Sequence, residues 1–231
     1  MDRAREITCL CPTYGRFGLL RRSVAMFLNQ TEPERRLLIL NDAPRPITLG
    51  EFRGRDTIQV LNARPDHQEL GEKRSRLLRE ASTSLVAHWD DDDVYLPHHL
   101  QCGVTALVGA SGEAWCVVGR PCLKWEGGKL TTVTEAGKTA GYVFCRSEAV
   151  ARAGYRRHHT GRECHRWRRL GGVLDYDLAE PSFVWCPDTP GLHTRANGPA
   201  VEHHLGNRDF GTELLTPDYK GAEAWRLLTS K

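Results

Sequence analysis

Four consecutive carboxylates, Asp90 to Asp93, are the residues of this chain best suited to chemistry. They follow an apolar run from Ser84 to Trp89 that is typical of a buried strand. Adjacent carboxylates repel one another, because two unit charges about 4 Å apart interact by roughly 4 kcal/mol at an effective dielectric of about 20. We therefore expect a counter-charge here. A divalent cation such as Mg²⁺ or Mn²⁺ meets that need, since it prefers oxygen ligands and often binds protein carboxylates and substrate phosphates together.

A simpler role for the acidic run is a solvated turn in which Asp93 caps the next helix. A calcium loop of the EF-hand type is excluded. Counted from Asp90, its sixth position is Tyr95 rather than Gly and its twelfth is Gln101 rather than Glu. The strand-like run directly before the carboxylates favours a metal–phosphate site over the solvated turn.

Apolar runs and helical periodicity predict the elements that position these carboxylates. Predicted buried strands cover residues 7–11, 37–40, 57–61 and 84–89, and predicted helices cover residues 17–29 and 70–81. Continuous apolar strands that alternate with helices indicate an α/β fold, with a mostly parallel central sheet flanked by helices. Ligands of such sheets bind beyond the carboxyl ends of the strands. Three polar clusters lie at those ends: residues 12–14, residues 41–42 and residues 90–93.

The second half of the chain predicts a smaller and less regular region. Its predicted elements are helices at 97–109, 147–153 and 217–228, strands at 115–119, 140–145 and 183–186, and a hairpin at 123–133. Residues 152–169 are rich in arginine and histidine. The sequence contains neither G-x-G-x-x-G nor G-x-x-x-x-G-K-[ST], so it predicts neither a dinucleotide fingerprint nor a P-loop.

The composition is typical of a globular protein, with 40% hydrophobic and 26% charged residues, and the length of 231 residues indicates one large domain or two intimate lobes. A net charge of +3 is too small to indicate nucleic-acid binding by itself. No segment approaches the ~18 apolar residues of a membrane span, so we expect no transmembrane segment. The eight cysteines include no C-x-x-C pair and the N-terminus carries no signal-peptide core, which favours a cytoplasmic protein.

Residues 7–16 combine a predicted strand with the turn P-T-Y-G-R, and residues 88–97 contain the four consecutive Asp residues. In these segments the chain resembles the family 2 glycosyltransferases of the GT-A fold, whose opening strand ends in a P-T-Y-N-R turn and which carry a D-x-D-D segment. The resemblance is strong over residues 6–100 and weaker afterward. Further similar segments are the Q-T at 30–31, the V-V-D-D-like strand end at 38–42, the G-x-K-R segment at 71–74, the acceptor-side strand at 141–146 and the H-x-G-N at 204–207.

The resemblance implies an inverting, metal-dependent transfer of a sugar from a nucleoside diphosphate donor, usually a UDP-sugar, to a hydroxyl acceptor. Asp92 would bind Mn²⁺ or Mg²⁺, with His204 joining late in the site. The metal would neutralise the leaving diphosphate. The residues implied in donor binding are Pro12, Thr13, Tyr14, Asp42, Lys73, Arg74, Asp90 and Asp91.

Two of these roles have structural alternatives that the sequence leaves open. Lys73 and Arg74 would add positive charge beside the diphosphate, but they equally fit a solvated helix face. His204 equally fits a structural or surface imidazole. The resemblance further implies that residues 1–100 form the donor-binding half, and residues 101–231 the acceptor-binding half, of one domain.

Two departures from the family pattern affect the implied roles. Asn41 replaces the first Asp of the strand-end pair, which leaves Asp42 alone in that role. The catalytic base that deprotonates the acceptor hydroxyl is an acidic residue of an E-D-like segment in the family. Glu163 is the nearest match, with Cys164 where the second acid is expected, and Asp175 and Asp177 are its rivals.

Two other functions fit parts of the sequence. A nucleotidyltransferase would use the same carboxylate–metal–phosphate chemistry on a triphosphate. The arginine-rich residues 152–169 fit a nucleic-acid-binding protein, or a transferase that modifies a DNA base, because clustered arginines neutralise phosphates. The same segment also fits a lid over the donor diphosphate. The acceptor is therefore a saccharide or a modified nucleic-acid base.

Overall fold

Two sheets and four α-helices make up the described part of the chain. The computed structural model describes residues 5–52, 55–64, 69–110, 115–126, 129–133, 143–155, 167–170, 172–178 and 181–186. The strands are β1 (Ile7–Thr13), β2 (Arg35–Asn41), β3 (Ile58–Asn62), β4 (Leu85–His88), β5 (Val94–Tyr95), β6 (Cys116–Arg120), β7 (Cys122–Glu126), β8 (Lys129–Val133), β9 (Val143–Arg146), β10 (Val173–Asp177) and β11 (Phe183–Trp185). The α-helices are α1 (Phe17–Leu28), α2 (Leu70–Glu80), α3 (His99–Gly109) and α4 (Ser147–Ala153), and short 3₁₀ helices span Leu49–Glu51 and Arg55–Thr57.

The larger sheet has seven strands in the order β10-β6-β9-β4-β1-β2-β3. The β4-β1-β2-β3 strands are all parallel, β10 is parallel to β6, and β9 is antiparallel to both of its neighbours. The predicted α/β fold with a mostly parallel central sheet is therefore confirmed. Because β1, β2 and β4 are adjacent and parallel, the polar residues at their carboxyl ends share one edge.

The apolar runs of the sequence form the centre of this sheet. Every residue of β1 and β4 is buried, as is the second part of β2. The apolar face of α1 adds Leu20, Val24 and Phe27 to the same core. Burial on both faces explains why the sequences of these strands are continuously apolar and do not alternate between apolar and polar residues.

A second sheet of four strands, in the order β5-β11-β7-β8, was not predicted as a separate sheet. The predicted hairpin is confirmed as the antiparallel pair β7 and β8. The two-residue strand β5 and the half-exposed strand β10 were missed, because the first is too short and the second too polar to give a strand pattern. The predicted helix at 217–228 lies outside the described residues.

None of the described helices is long and apolar enough to cross a membrane. The cysteines of the described residues form no disulfide with one another.

The packing of α3 against β9 predicts a clear difference between two glycines of one helix. A Cβ atom on Gly103 would lie 2.2 Å from Cζ of Phe144, whereas one on Gly109 would meet nothing within 4 Å. We expect Gly103→Ala to destabilise the protein by about 2–3 kcal/mol through overpacking. Gly109→Ala is the matched control and is expected to be neutral or slightly stabilising, because Ala favours the helix. Urea unfolding checks both, and equal stability of the two variants would contradict the packing described here.

Candidate active site

The acidic row, Asp90 to Asp93, begins two residues after β4 and is held by a stack of aromatic rings. The Trp89 ring lies 3.8 Å from the Tyr95 ring, centroid to centroid, and its Nε1 donates to Ser23 Oγ at 2.8 Å. The Tyr95 hydroxyl accepts the backbone N–H of Asp90 at 2.6 Å. The backbone at the start of the row is therefore fixed by buried contacts on both sides of Trp89.

Asp91 is fully buried and both of its carboxylate oxygens are engaged. Thr13 Oγ1, at the end of β1, donates to Oδ2 at 2.6 Å, and Arg16 Nη2 donates to Oδ1. Burial raises the pKa of the Asp91 carboxyl to about 6, although the Arg16 guanidinium opposes this shift. Asp91 thus ties the acidic row to the β1–α1 turn.

Asp92 is the partly exposed member of the row, with 22% of its side chain accessible. Its Oδ2 accepts Arg16 Nη1 at 2.8 Å, and its backbone oxygen accepts Arg22 Nη2 from α1 at 3.0 Å. Within the described part of the chain, its Oδ1 accepts no hydrogen bond. Asp92 therefore offers a carboxylate oxygen toward solvent from a backbone that two arginines hold in place.

Asp93 faces inward rather than toward the following helix. Its Oδ1 accepts the backbone N–H of Cys186 at 2.9 Å, just beyond β11. Burial, followed by the neighbouring carboxylates Asp92 and Asp90, raises its pKa well above the usual range. The helix-cap role considered for Asp93 is wrong, since α3 begins at His99 with His98 as its N-cap. Asp93 instead joins the acidic row to the smaller sheet.

Lys73 and Arg74 lie on the buried face of α2 and point to the same edge of the sheet. Lys73 Nζ donates to Asp42 Oδ1, and to the backbone oxygen of Thr13 at 3.2 Å. Arg74 Nη2 donates to Asp90 Oδ1 at 2.7 Å. Counted over the whole residue, their exposed fractions are 4% and 0%, so the alternative of a solvated helix face is wrong.

The contacts between these groups confirm that the three polar clusters meet at one edge of the sheet. Thr13 from the first cluster contacts Asp91, and Lys73 joins Thr13 to Asp42. The counter-charges of the acidic row in this structure are the guanidinium groups of Arg16 and Arg74. Because these guanidinium groups lie beside the row, it depends on a bound cation for its own stability less than the sequence alone indicates.

The other residues of the donor-side clusters are placed as follows. Pro12 is a buried residue of β1, and the Tyr14 ring centroid lies 5.5 Å from Lys73 Nζ. Asn41, which replaces an expected Asp, has a structural role. Its Nδ2 donates to the backbone oxygen of Arg45 at 2.9 Å and to Asn62 Oδ1 at 3.1 Å. An amide donor therefore supports the loop after β2 at this position.

The predicted base Glu163 and the predicted metal ligand His204 lie outside the described residues. Of the rivals for the base, Asp175 forms a two-bond ion pair with Arg168, and Asp177 is an exposed residue of β10. The carboxylate of Asp175 is therefore paired with the guanidinium of Arg168 in this structure.

Sequence reasoning missed three residues that shape the site: Arg16, Arg22 and Tyr95. Arg16 belongs to the turn that resembles P-T-Y-N-R, but its partners are 75 and 76 residues away in the chain. Four neighbouring carboxylates were a signal that arginines would gather near them. Which arginines these would be could not be predicted from the sequence pattern.

The donor set fits a divalent cation of the Mg²⁺ or Mn²⁺ type. Such ions are usually held by one or two protein carboxylates, with water and substrate phosphates completing the coordination. The partly exposed carboxylate of Asp92 supplies one such ligand. No group of three or more His, Cys, Asp or Glu side chains within the described ranges is arranged to hold a metal by itself.

Comparison with known proteins gives one family and a set of similar structures. The profile of the family described as "Glycosyl transferase family 2" matches residues 8–120, which include the acidic row. No curated protein matches the sequence.

Two kinds of solved structure illustrate the similarity of the fold. Residues 1–349 of TarS from S. aureus, in complex with UDP-GlcNAc, align with a TM-score of 0.67 and 12% identity over 96% of this chain and 70% of that one. The mannosyltransferase PcManGT from Pyrobaculum calidifontis, in complex with GDP-Man and Mn²⁺, aligns with a TM-score of 0.61 and 15% identity over 80% of this chain and 57% of that one. This chain covers 42% of the longer TarS structure.

Proposed function

Because the profile of glycosyltransferase family 2 matches residues 8–120, we propose that this chain is a member of that family and transfers a sugar from a UDP-sugar to a hydroxyl acceptor, with inversion at the anomeric carbon. The observation that carries the proposal is the meeting of Thr13, Asp42 and the acidic row at one edge of the sheet. In open α/β sheets this edge is where ligands bind. The aligned TarS structure contains UDP-GlcNAc, which supports a UDP-sugar as the first donor to test.

The donor-binding half of the proposal is residues 1–100. The turn formed by Pro12, Thr13 and Tyr14 contacts the base and ribose, together with Asp42. Lys73 and Arg74 keep the carboxylates of this region oriented, since each is buried and bonded to one of them. An oriented carboxylate selects hydrogen-bond donors of the nucleoside, because its geometry is fixed before the ligand arrives.

The diphosphate is proposed to lie beside Asp92, which holds a divalent cation with its exposed carboxylate. An ion held there would supply positive charge beside the leaving diphosphate. Mn²⁺ is the first ion to test, since the aligned mannosyltransferase structure contains it with GDP-Man. His204 is retained as a second proposed ligand.

The acceptor half is residues 101–231, and its proposed base is Glu163. A base within hydrogen-bond reach of the acceptor hydroxyl removes its proton as the new bond forms. The arginine-rich residues 152–169 surround Glu163 in the sequence, so an anionic acceptor is the class to test beside neutral saccharides. The proposed compartment is the cytoplasm, where scattered thiols stay reduced.

A thermal-shift panel of UDP-, GDP- and dTDP-sugars, each with and without Mn²⁺, tests the proposal. A ligand that binds the native state alone raises the unfolding temperature, and we expect the largest rise for a UDP-sugar with Mn²⁺. Slow release of UDP from that sugar should accompany binding. Stabilisation by nucleoside triphosphates with release of pyrophosphate, and none by nucleotide sugars, would replace the proposal with a nucleotidyltransferase.

A further inference from the structure

Arg16 bridges two carboxylates at the place where the proposed metal binds. Its Nη1 lies 2.8 Å from Asp92 Oδ2, and its Nη2 donates to Asp91 Oδ1. The side chain is 23% exposed, so the bridge lies at the border between the core and solvent. One guanidinium therefore neutralises part of the charge of both acids.

The two ends of this bridge differ in how firmly they are held. Asp91 is fully buried, and Thr13 fixes its second oxygen at 2.6 Å. Asp92 is partly exposed, and within the described part of the chain its carboxylate is bonded to Arg16 alone. The contact of Arg16 with Asp92 is thus the one that breaks more readily, because water can solvate the separated groups.

The backbone around this contact is fixed, so a change at Arg16 is confined to its side chain. Arg16 precedes α1 and follows Gly15, whose φ of +66° is a conformation that favours glycine. Arg22 holds the backbone oxygen of Asp92 at 3.0 Å from the next turn of α1. The guanidinium can leave the Asp92 carboxylate while both main chains stay in place.

We propose that Arg16 is a positioning residue that takes the place of the divalent cation in the metal-free protein. It occupies the Asp92 carboxylate until the cation displaces it, and it remains bonded to Asp91 afterward. Its released N–H groups then become available to phosphate oxygens of the donor. The inference rests on the proposed function. It implies that Arg16 weakens the binding of metal alone and strengthens the binding of metal together with a nucleoside diphosphate.

The test is a titration of the purified chain with Mn²⁺, in which free Mn²⁺ is followed by electron paramagnetic resonance. Without nucleotide, Arg16→Gln is expected to bind Mn²⁺ at least about tenfold more tightly than the wild type, because a competing positive charge is removed. With UDP present the order is expected to reverse, since the variant lacks the donor for the phosphates. Arg36→Gln is the matched control. Arg36 is an exposed β2 residue paired with Glu6, and its loss should change neither affinity by more than about twofold.

Two results would overturn the inference, and they differ in what they say about the proposed function. Equal Mn²⁺ affinity of the wild type and Arg16→Gln would remove the role of Arg16 and leave the metal role of Asp92 intact. Failure of both proteins to bind Mn²⁺ at millimolar concentrations would remove both roles. Should Arg16→Gln fail to fold, Arg16→Lys gives the same measurement. A lysine ammonium cannot form the two-carboxylate bridge of a guanidinium. Without nucleotide, an Mn²⁺ affinity of Arg16→Lys between that of the wild type and the about tenfold higher affinity expected for Arg16→Gln supports the inference. An affinity equal to that of the wild type overturns it.

Discussion

Replacing Asp92 with asparagine is expected to lower the Mn²⁺-dependent release of UDP from a UDP-sugar by about 10²–10³-fold, the usual loss when one preorganised stabiliser of developing charge is removed. The amide keeps the shape of the side chain but loses the negative charge that attracts the cation. The side chain is partly exposed, and Asp91 continues to hold Arg16. The fold should therefore be unaffected, with an unfolding temperature close to that of the wild type.

The matched control is Asp56→Asn, which removes an exposed carboxylate at the opposite, amino-terminal edge of the sheet, next to β3. Its activity should equal that of the wild type. Initial rates are measured over a range of Mn²⁺ concentrations, so that a weaker metal affinity is separated from a lower maximal rate. A normal rate for Asp92→Asn at every Mn²⁺ concentration would exclude Asp92 as the metal ligand.

The strands that bring the polar clusters to one edge of the sheet were predictable because their sequence pattern is unambiguous. The apolar runs around Leu10, Ile39 and Val86 are buried on both faces, so each reads as a strand without reference to the rest of the chain. Parallel order then follows from the intervening helices, and with it the meeting of polar residues at one edge. What could be predicted is therefore the location of the site, since it depends on topology.

The electrostatics of the site could not be predicted from the same patterns. The spacing of arginines and lysines in the sequence is the same whether their side chains lie on a solvated helix face or in a buried ion pair. Arg74 is fully buried against Asp90, while Arg79 of the same helix is exposed. The difference depends on which side of α2 packs on β1, and on acids that are distant in sequence. For the same reason the pairing of Arg16 with Asp91 and Asp92 appears in the structure alone.

The Lys73–Asp42 ion pair is the contact whose loss should cost the most stability. Both residues are buried, with 5% of the Lys73 side chain and 0% of the Asp42 side chain exposed. Removing one partner of a buried pair leaves the other charge without compensation in a medium that solvates it poorly, and this typically costs about 3–5 kcal/mol. We therefore expect Lys73→Met, which keeps the length of the side chain, to lower the free energy of unfolding by about that amount in urea titrations.

Two further variants decide whether the uncompensated charge is the cause. Arg79→Met removes an exposed cation from the last turn of the same helix and should cost less than about 1 kcal/mol. The double variant Lys73→Met with Asp42→Asn removes both charges, so it should be more stable than Lys73→Met alone, because no buried carboxylate is left unpaired. If the double variant is no more stable than the single one, the loss comes from packing of the Lys73 side chain. The pair would then fix the position of Asp42 without contributing to the stability of the fold.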